Sequence, residues 1–322
     1  MLSFTPLPAR VAVLVHPRVS APLALLGREL FQRAADVGSD EAKLTVSLVG
    51  NREVVGDQWA LRPEPWDGFW DLVVVPPFGP GFDGSLDDLA PEVDWIRQQA
   101  RSGARVASAC LGAFLLGAAG LLDGREATTH WLWSTAARER FPLVQWQPDR
   151  MLCDTGPVVT AGGYLALVDL VLHLIETLVG RTVTRSLAQR VLADTGRQRQ
   201  SVYAQTLTLG TGDTAFSGFD RWVEERLSRP LTVEDLAGRV AMSSRNFFRR
   251  FRDVYGVTPV RYLQRKRIEK AQQLLRESEA SLEFILEQVG VTDPQAFRQI
   301  FRRELGLTPS EYRRRFRPQN ES

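Results

Sequence analysis

The pattern of apolar and polar positions in the last third of the chain repeats itself. Between residues 231 and 316, a short helical pattern of apolar residues is followed by a tight turn and by a second helical pattern that carries arginines and ends at glycine, and this succession occurs twice. Each copy closes on a Gly-x-Thr-Pro tetrapeptide, in which glycine permits the left-handed end of a helix and proline prevents its continuation. The repetition predicts two helix–turn–helix units, with helices over 233–240, 245–255, 282–289 and 294–305.

The arginine-bearing helix of each unit has one apolar face, which we expect to point inward. The inward residues are Phe247, Phe251 and Val254 in the first copy and Phe297, Ile300 and Phe301 in the second. Between the units, residues 260–276 predict one long helix, with its inner face formed by Tyr262, Ile268, Ala271 and Leu275. A helix–turn–helix places its second helix in a major groove, and successive major-groove faces lie roughly 34 Å apart. One chain could therefore read two adjacent major-groove segments.

The outer faces of these two helices carry side chains that suit base and phosphate contacts. Arginine pairs with guanine edges and with phosphates, and glutamine pairs with adenine. The outward set is Arg245, Arg249, Arg252, Gln295, Arg298, Gln299 and Arg302. The alternative interpretation is a solvated arginine face such as any basic amphipathic helix has. Duplication with matching Gly-x-Thr-Pro endings argues against that alternative.

This segment resembles the AraC-type DNA-binding domain over about the last third of the chain. By position, the resemblance implies base contacts from Arg245, Phe248, Arg249, Gln295, Ala296 and Gln299. Phe248 can offer only apolar contact, for instance to a thymine methyl group. Ser244, at the end of the first turn, completes the candidate DNA-binding set. Members of this family commonly have an aromatic residue where this chain has Val291, so we expect a repacked second unit.

The first two hundred residues alternate between short apolar runs and amphipathic helical patterns. Strands are predicted over 10–15, 44–49, 71–76 and 105–108, and helices over 23–35 and 91–102. Apolar strands separated by helices favour a parallel sheet covered on both faces, with ligands at the carboxyl ends of the strands. The predicted fold class is α/β: a flavodoxin-like parallel-sheet domain followed by an all-α domain with two helix–turn–helix units.

Cys110 lies at one such strand end. Residues 108–122 combine a strand end, a turn of small residues and the start of a helix. We expect this turn to leave Cys110 at a helix N-terminus, where a thiolate would be stabilised. The run from Ala107 to Trp131 resembles the elbow region of the ThiJ/PfpI-like (class I glutamine amidotransferase-like) superfamily, whose cysteine and downstream histidine correspond to Cys110 and His130.

Further matches to that superfamily extend the resemblance over roughly residues 10–200. They lie at Val158 to Gly163, at Asp169 to His173 and at Arg197 to Gln200. Joined to an AraC-type end, this architecture resembles the GlxA family of transcriptional regulators. The resemblance implies a sequence-specific DNA-binding regulator that forms a homodimer. It also implies control by a small molecule or partner acting on the α/β domain. The expected ligand pocket consists of Phe78, Cys110, Leu111, His130, Trp131 and Gly162.

The catalytic supports used by enzymes of this superfamily are expected to be incomplete here. The resemblance places Leu23 where those enzymes have an acidic residue, and Pro77 and Phe78 where they have a glycine pair that donates backbone hydrogen bonds. Proline has no N–H, and a nucleophile without its orienting partners falls short of covalent catalysis. We therefore expect no catalytic residues and no enzyme. The alternative is a cysteine-dependent hydrolase or glyoxalase-like enzyme tethered to DNA.

The other cysteine and histidines are expected to be structural. Cys153 fits a small apolar residue in a hairpin. His16 follows a strand and could line the same cleft, although a surface loop is the favoured location, and His173 fits a helix-face histidine. Three histidines and two cysteines show no metal-ligand spacing, so we expect no metal and no cofactor.

Length and charge agree with a division into two domains. In 322 residues we predict an α/β domain over 8–200, a Thr-, Gly- and Ser-rich linker over 201–217 and a DNA-binding domain over 218–318. The net charge is +2, but residues from Asp213 onward carry 21 Lys and Arg against 16 Asp and Glu, whereas the preceding residues carry 19 against 22. The basic part is the one expected to meet phosphates.

The sequence shows neither an apolar run of membrane-spanning length nor an N-terminal signal pattern, and its two cysteines fit a reducing compartment. We expect a cytoplasmic protein without membrane contact. The expected partners are DNA, a second copy of the chain, a small-molecule effector and, for an activator, RNA polymerase. A nonspecific architectural DNA binder is a further alternative, which predicts equal affinity for all DNA sequences at fixed salt.

Overall fold

The computed structural model describes residues 9–37, 44–56, 59–193, 200, 214–255 and 257–317. The chain divides into two compact units, Met1–Gln200 and Ser201–Ser322. Of the predicted linker, residues 201–213 lie outside the described residues. Phe216, at the end of a short 3-10 turn, is only 2% exposed and packs into the core of the second unit. Phe216 therefore belongs to the C-terminal domain, which begins before the predicted position 218.

The N-terminal unit alternates strands and helices as the sequence predicts, and the six predicted elements lie within two residues of the observed bounds at each end. Its strands are β1 (Ala9–Leu14), β2 (Leu44–Gly50), β3 (Val54–Val55), β4 (Ala60–Leu61), β5 (Glu64–Pro65), β6 (Leu72–Val75), β7 (Arg105–Ala109), β8 (Glu126–Ala127), β9 (Gln145–Trp146), β10 (Leu152–Asp154) and β11 (Val158–Ala161). Its helices are α1 (Ala21–Val37), α2 (Ala90–Arg101), α3 (Ala113–Ala118), α4 (Ser134–Arg140), α5 (Ala166–Val179) and α6 (Arg181–Arg190).

A seven-stranded sheet in the order β10-β11-β7-β6-β1-β2-β5 forms the centre of this domain. Its neighbouring strands are parallel except for β10 and β11, which are antiparallel. The predicted α/β fold with a parallel sheet is confirmed, with one antiparallel edge strand added. Only residues 155–157 join β10 to β11, and so short a connection makes a hairpin rather than a parallel crossover.

Successive residues of the central strands supply two hydrophobic cores. Val11 and Val13 of β1 pack on one face of the sheet with α1, α5 and α6, whereas Ala12 and Leu14 pack on the other face with α2 and α3. Adjacent side chains of a strand point to opposite faces, so a continuous apolar run buries a strand on both sides. Because β6, β7 and β11 are parallel, the segments that follow them meet at one edge of the sheet.

The C-terminal unit contains the two predicted helix–turn–helix pairs. Its described helices are α7 (Phe219–Glu224), α8 (Val233–Arg239), α9 (Ser244–Tyr255), α10 (Pro259–Glu277), α11 (Leu282–Gln288), α12 (Pro294–Leu305) and α13 (Pro309–Phe316). The pairs α8–α9 and α11–α12 each have their own hydrophobic core, and α10 contributes to both. Within the described ranges, no helix is both long and apolar enough to cross a membrane.

The threonine and proline of each Gly-x-Thr-Pro tetrapeptide form the start of the following helix. Thr258 caps α10 by accepting a hydrogen bond from the Arg261 N–H, and Thr308 caps α13 by accepting one from the Glu311 N–H, each at 3.3 Å. The proline that follows each threonine occupies the first helical turn, where its missing N–H costs nothing. The same two residue types therefore fix where the next helix starts in both copies.

A buried charged cluster joins α7 to α10. Lys266, only 2% exposed, donates to Glu224 Oε1 at 2.7 Å and lies 3.6 Å from Asp220 Oδ1. The Tyr262 hydroxyl donates to the same Asp220 oxygen, and burial raises the pKa of Tyr262, so the phenol stays protonated. Replacing Lys266 would leave the buried Asp220 carboxylate without the positive charge beside it, and breaking a buried ion pair in this way costs about 3–5 kcal/mol.

The turns of the two helix–turn–helix units have the same backbone conformation but different requirements for glycine. Ala241 in the first turn has a φ of 53° and Gly290 in the second a φ of 66°, both in the left-handed region. A Cβ added at Gly290 would collide with the Leu227 carbonyl oxygen. The second turn is therefore restricted by its packing as well as by its conformation.

These two turns give a matched test of stability. We expect Ala241→Gly to change the free energy of unfolding by no more than about 1 kcal/mol, because relief of the left-handed alanine offsets the greater freedom of glycine in the unfolded chain. We expect Gly290→Ala to destabilise the C-terminal domain by at least about 2 kcal/mol, because the backbone of the turn or of Leu227 must move to make room for the new methyl group. Chemical denaturation of the full chain measures both, and equal costs would contradict the assignment.

Candidate functional site

Cys110 occupies a strained turn between β7 and α3. Its φ of 55° lies in the left-handed region, which costs an L-residue about 1–2 kcal/mol. The turn packs closely on β6, where a Cβ added at Gly112 would lie only 2.8 Å from the Val75 carbonyl oxygen. The chain thus makes the sharp strand-to-helix turn that the small residues predict.

This turn buries the Cys110 thiol. The residue is 5% exposed, and desolvation by burial raises the pKa of the thiol to about 12, although the Leu111 N–H acts in the opposite direction. The expectation of a stabilised thiolate is therefore wrong, because desolvation outweighs the N–H groups at the start of the helix. At neutral pH the Cys110 sulfur is a protonated thiol.

His130 is held by its own segment of chain. Its Nδ1 accepts a hydrogen bond from the Leu132 N–H at 3.2 Å, and its ring stacks on Trp131 with centroids 5.7 Å apart. Burial lowers the pKa of His130, so the ring is neutral at pH 7. Among the hydrogen bonds of the described residues, none joins Cys110 to His130; the two segments are linked by the Thr129 hydroxyl, which donates to the Cys110 carbonyl oxygen at 2.8 Å.

The remaining cysteine and histidines have separate surroundings. His16 is fully buried against Phe78, with ring centroids 4.7 Å apart, and burial lowers the pKa of His16 to about 3. Its expected place in a surface loop is wrong, because the segment after β6 covers it. Cys153 is a buried free thiol, and His173 lies on α5 with Nε2 2.7 Å from Asp154 Oδ2. Across the described ranges, no group of three His, Cys, Asp or Glu residues could hold a metal ion.

The side chain of Gln200 occupies part of the predicted ligand pocket. The predicted lining residues follow β6, β7 and β11 or pack beside them, and they are buried or half-buried: Phe78, Cys110, Leu111, His130, Trp131 and Gly162. A Cβ added at Gly162 would overlap the Gln200 carboxamide, whose oxygen accepts from the Trp131 N–H at 3.3 Å. Gln200 was part of the matched run from Arg197, but nothing in that run predicted that its side chain is inserted here.

The first candidate DNA-reading surface lies on α9. Phe247 and Phe251 face the core with no exposed surface. The predicted contact residues on this helix are all exposed, namely Ser244, Arg245, Phe248, Arg249 and Arg252. Phe248 leaves 40% of its surface exposed, so an apolar ring is part of this outer face. The guanidinium of Arg249 donates to Asn246 Oδ1 at 2.9 Å, which orients it along the outer face.

The second candidate surface lies on α12 and is built in the same way. Phe297 and Phe301 are buried, while the predicted contact residues are exposed or, for Ala296, half-buried: Gln295, Ala296, Arg298, Gln299 and Arg302. Asp293 fixes the start of the helix by accepting hydrogen bonds from the N–H groups of Gln295 and Ala296 at 2.9 and 3.0 Å. Val291 is half-buried and packs against this core, so the second unit is intact without an aromatic residue there.

Two family models match separate parts of the chain. Residues 68–177 match the DJ-1/PfpI family, and residues 236–315 match a helix-turn-helix domain. The first match covers the centre of the sheet and the elbow, and the second covers both helix–turn–helix units. An α/β domain of this family joined to paired DNA-reading units defines a DNA-binding transcription regulator.

Two proteins of similar sequence are transcriptional regulators. The chain is 30% identical over 224 residues to the HTH-type transcriptional regulator GlxA of Rhizobium meliloti, with 68% of each chain covered. It is 26% identical over 320 residues to the HTH-type transcriptional regulator ArgR of Pseudomonas aeruginosa, with 95% of this chain and 93% of the other covered. The chain belongs to the GlxA-type family of HTH-type transcriptional regulators. Over 126 residues it is also 40% identical to isonitrile hydratase of Pseudomonas putida, with 37% of this chain and 53% of that one covered.

The protonated state of Cys110 predicts low reactivity. With a pKa of about 12 instead of 9.0, its thiolate fraction at pH 7.5 is lower by a factor of about 1000. We expect iodoacetamide to leave Cys110 of the folded full chain unmodified under conditions that alkylate it fully in guanidinium, as measured by peptide mass spectrometry. Rapid, complete alkylation of Cys110 in the folded protein at neutral pH would contradict this account.

Proposed function

We propose that this regulator binds a specific DNA sequence through two helix–turn–helix units that read adjacent major-groove segments, under the control of an effector or partner that acts on the α/β domain. The observation that carries the proposal is the pair of units on the single helix α10, each with a buried aromatic core and an exposed polar face. A nonspecific binder needs positive charge, whereas base reading needs defined side chains at fixed positions.

The two exposed faces favour different bases. On α9, Arg245 and Arg249 offer bidentate donors that suit guanine, and Phe248 between them offers apolar contact to a thymine methyl group. On α12, Gln295 and Gln299 suit adenine. Arg252, Arg298 and Arg302 lie further along the helices and suit phosphates, with Ser244 and Ala296 at the helix starts. Because α9 and α12 favour different bases, the two halves of the DNA site are expected to differ in base sequence.

Regulation through a homodimer is part of the proposal. Leu25 and Tyr164 are 45% and 42% exposed, and the hydrogen bond between the Ser20 and Tyr164 hydroxyls brings the start of α1 next to the segment before α5. We infer that two α/β domains pair through this surface, which would cover these exposed side chains. We place the protein in the cytoplasm because its DNA target is there, with contact to RNA polymerase if it activates transcription.

We further propose that the α/β domain binds its effector without converting it. Cys110 is a buried thiol, Leu23 at the expected acid position is an apolar residue with 5% exposure, and Pro77 has no N–H and instead accepts a hydrogen bond from the Ser20 N–H at 2.9 Å. The similarity to isonitrile hydratase favours one enzymatic alternative, the hydration of an isonitrile. Incubation of the full chain with an alkyl isonitrile, followed by NMR, is expected to show no formamide above the buffer rate.

Base reading by α9 predicts a sequence-dependent loss of affinity. We expect Arg249→Ala to weaken binding to the cognate duplex by about 1–3 kcal/mol, roughly 5- to 150-fold, and to relax the base preference at one position. Selection from a random duplex library identifies the cognate site, and fluorescence anisotropy at fixed salt measures affinity for cognate and scrambled duplexes.

Arg221→Ala is the matched control, because it removes the same charge from the exposed surface of α7, outside both units. We expect it to change the affinities for both duplexes by less than twofold. If Arg249→Ala weakened cognate and scrambled duplexes alike, the protein would be a nonspecific binder and the proposal would be wrong.

A further inference from the structure

The carboxamide of Gln200 lies in a site with an excess of hydrogen-bond acceptors. Its Nε2 is 3.0 Å from Thr128 Oγ1, 2.9 Å from the Thr129 carbonyl oxygen, 3.1 Å from that of Pro148 and 3.0 Å from that of Arg150. We call these four oxygens, together with the Trp131 N–H, the amide socket. Gln200 is 3% exposed, so water does not replace these contacts.

The number of donors in this socket does not match the number of acceptors. An amide nitrogen has two hydrogens, and four oxygens surround it. The Thr128 hydroxyl gives its own hydrogen to the Arg150 carbonyl oxygen at 3.0 Å, so it can only accept from Gln200. Three of the four oxygens are backbone carbonyls, the groups that replace the hydration shell of a cation in protein sites. A primary ammonium, with three hydrogens and a positive charge, matches this arrangement better than an amide does.

We propose that the amide socket binds the primary ammonium group of the effector, which displaces the side chain of Gln200. This inference rests on the proposed effector control and specifies the chemical class of the effector: an amine or amino acid with an unsubstituted –NH3+ group. The socket lies beside Trp131 and His130, so the remainder of the effector would extend into the predicted pocket. Gln200 is then an internal occupant that keeps the socket closed when no effector is bound.

The position of Gln200 in the chain connects this exchange to the DNA-binding domain. Gln200 is the last residue of the N-terminal unit, and its backbone N–H is also bonded there, to the Asp149 carbonyl oxygen at 3.0 Å. Phe216, buried in the C-terminal core, follows sixteen positions later. Displacement of the side chain therefore removes the side-chain contacts that hold the last residue of the N-terminal unit in place. An effector that binds only the released state shifts the population toward that state.

Gly162 provides a way to fill the socket. Its α-carbon lies so close to the Gln200 carboxamide that an added methyl group would occupy the same space. Gly162→Ala is therefore expected to expel the Gln200 side chain and, because the methyl group takes the place of the amide nitrogen, to exclude an ammonium group as well. A comparison with Gln200→Ala separates an empty socket, which an ammonium group can enter, from a filled one, which it cannot.

The test is chemical rescue of the full chain by small probes, measured as thermal unfolding of the α/β domain. Gln200→Ala removes the donor that these buried oxygens share, so its Tm is expected to fall by several degrees, whereas Gln189→Ala, which replaces an exposed glutamine on α6, leaves the Tm unchanged. Ethylammonium at ten times its Kd is expected to raise the Tm of Gln200→Ala by about 3 °C or more, and that of the wild type by less, because Gln200 competes.

Two further probes separate the contribution of positive charge from that of N–H hydrogen bonds. Tetramethylammonium carries the same charge without an N–H group, and acetamide has the shape of the lost carboxamide without the charge. The proposal predicts that neither matches ethylammonium at equal concentration and ionic strength. Equal rescue by tetramethylammonium, rescue by acetamide alone, no rescue of Gln200→Ala, or an equal rescue of Gly162→Ala, whose socket is filled, would overturn it.

If Gln200→Ala does not fold, the wild type carries the test through hydrogen exchange at the Gln200 and Trp131 amides. Ethylammonium is expected to accelerate exchange at these amides in the wild type, and unchanged exchange would contradict the proposal. None of these measurements involves DNA. Failure of the socket would therefore leave sequence-specific DNA binding untouched, and failure of sequence-specific binding would leave the rescue unaffected.

Discussion

The burial of α10 in two hydrophobic cores at once is the constraint on which the DNA-reading geometry depends. Tyr262 and Leu263 pack in the core of the first helix–turn–helix unit, whereas Ile268, Ala271 and Leu275 pack in that of the second. The helix has 19 residues, which at a rise of 1.5 Å per residue corresponds to about 28 Å. This length is comparable with the roughly 34 Å between successive major-groove faces. Neither unit can move along α10 without exposing buried aromatic side chains, so the two reading helices keep a fixed separation.

Desolvation is the corresponding constraint in the α/β domain. A cysteine at a strand-to-helix turn becomes a reactive thiolate when N–H groups and nearby charges outweigh the cost of burial. At Cys110 burial outweighs them, and the same turn holds a protonated thiol. The backbone of this turn therefore has the geometry of an active-site elbow, but its apolar surroundings disfavour the charged thiolate that catalysis needs. This combination suits ligand recognition, and the carboxamide of Gln200 shows that the neighbouring polar groups are arranged to hold a nitrogen donor.

Local patterns predicted most of the fold, whereas contacts between distant segments were not predictable from them. The spacing of Phe247 and Phe251 determines one helix face, and the threonine and proline of each Gly-x-Thr-Pro determine where a helix starts, so both are visible in the sequence. Phe216 was missed because its Thr-, Gly- and Ser-rich surroundings resemble a linker, although its spacing to Phe219 matches a helical core. The socket of Gln200 depends on residues from 128 to 150, and no short pattern connects them to position 200.

The most direct measurement of the central claim changes the distance between the two halves of the DNA site. Five base pairs inserted between the segments protected by α9 and α12 place one segment on the opposite face of the duplex, because B-DNA turns once in about 10 base pairs. With two units fixed on α10, affinity is expected to fall at least as far as it does when one half of the site is scrambled. Insertion of ten base pairs is expected to leave affinity equally low, because one chain cannot span the added turn. Unchanged affinity after either insertion would contradict a rigid pair of reading units.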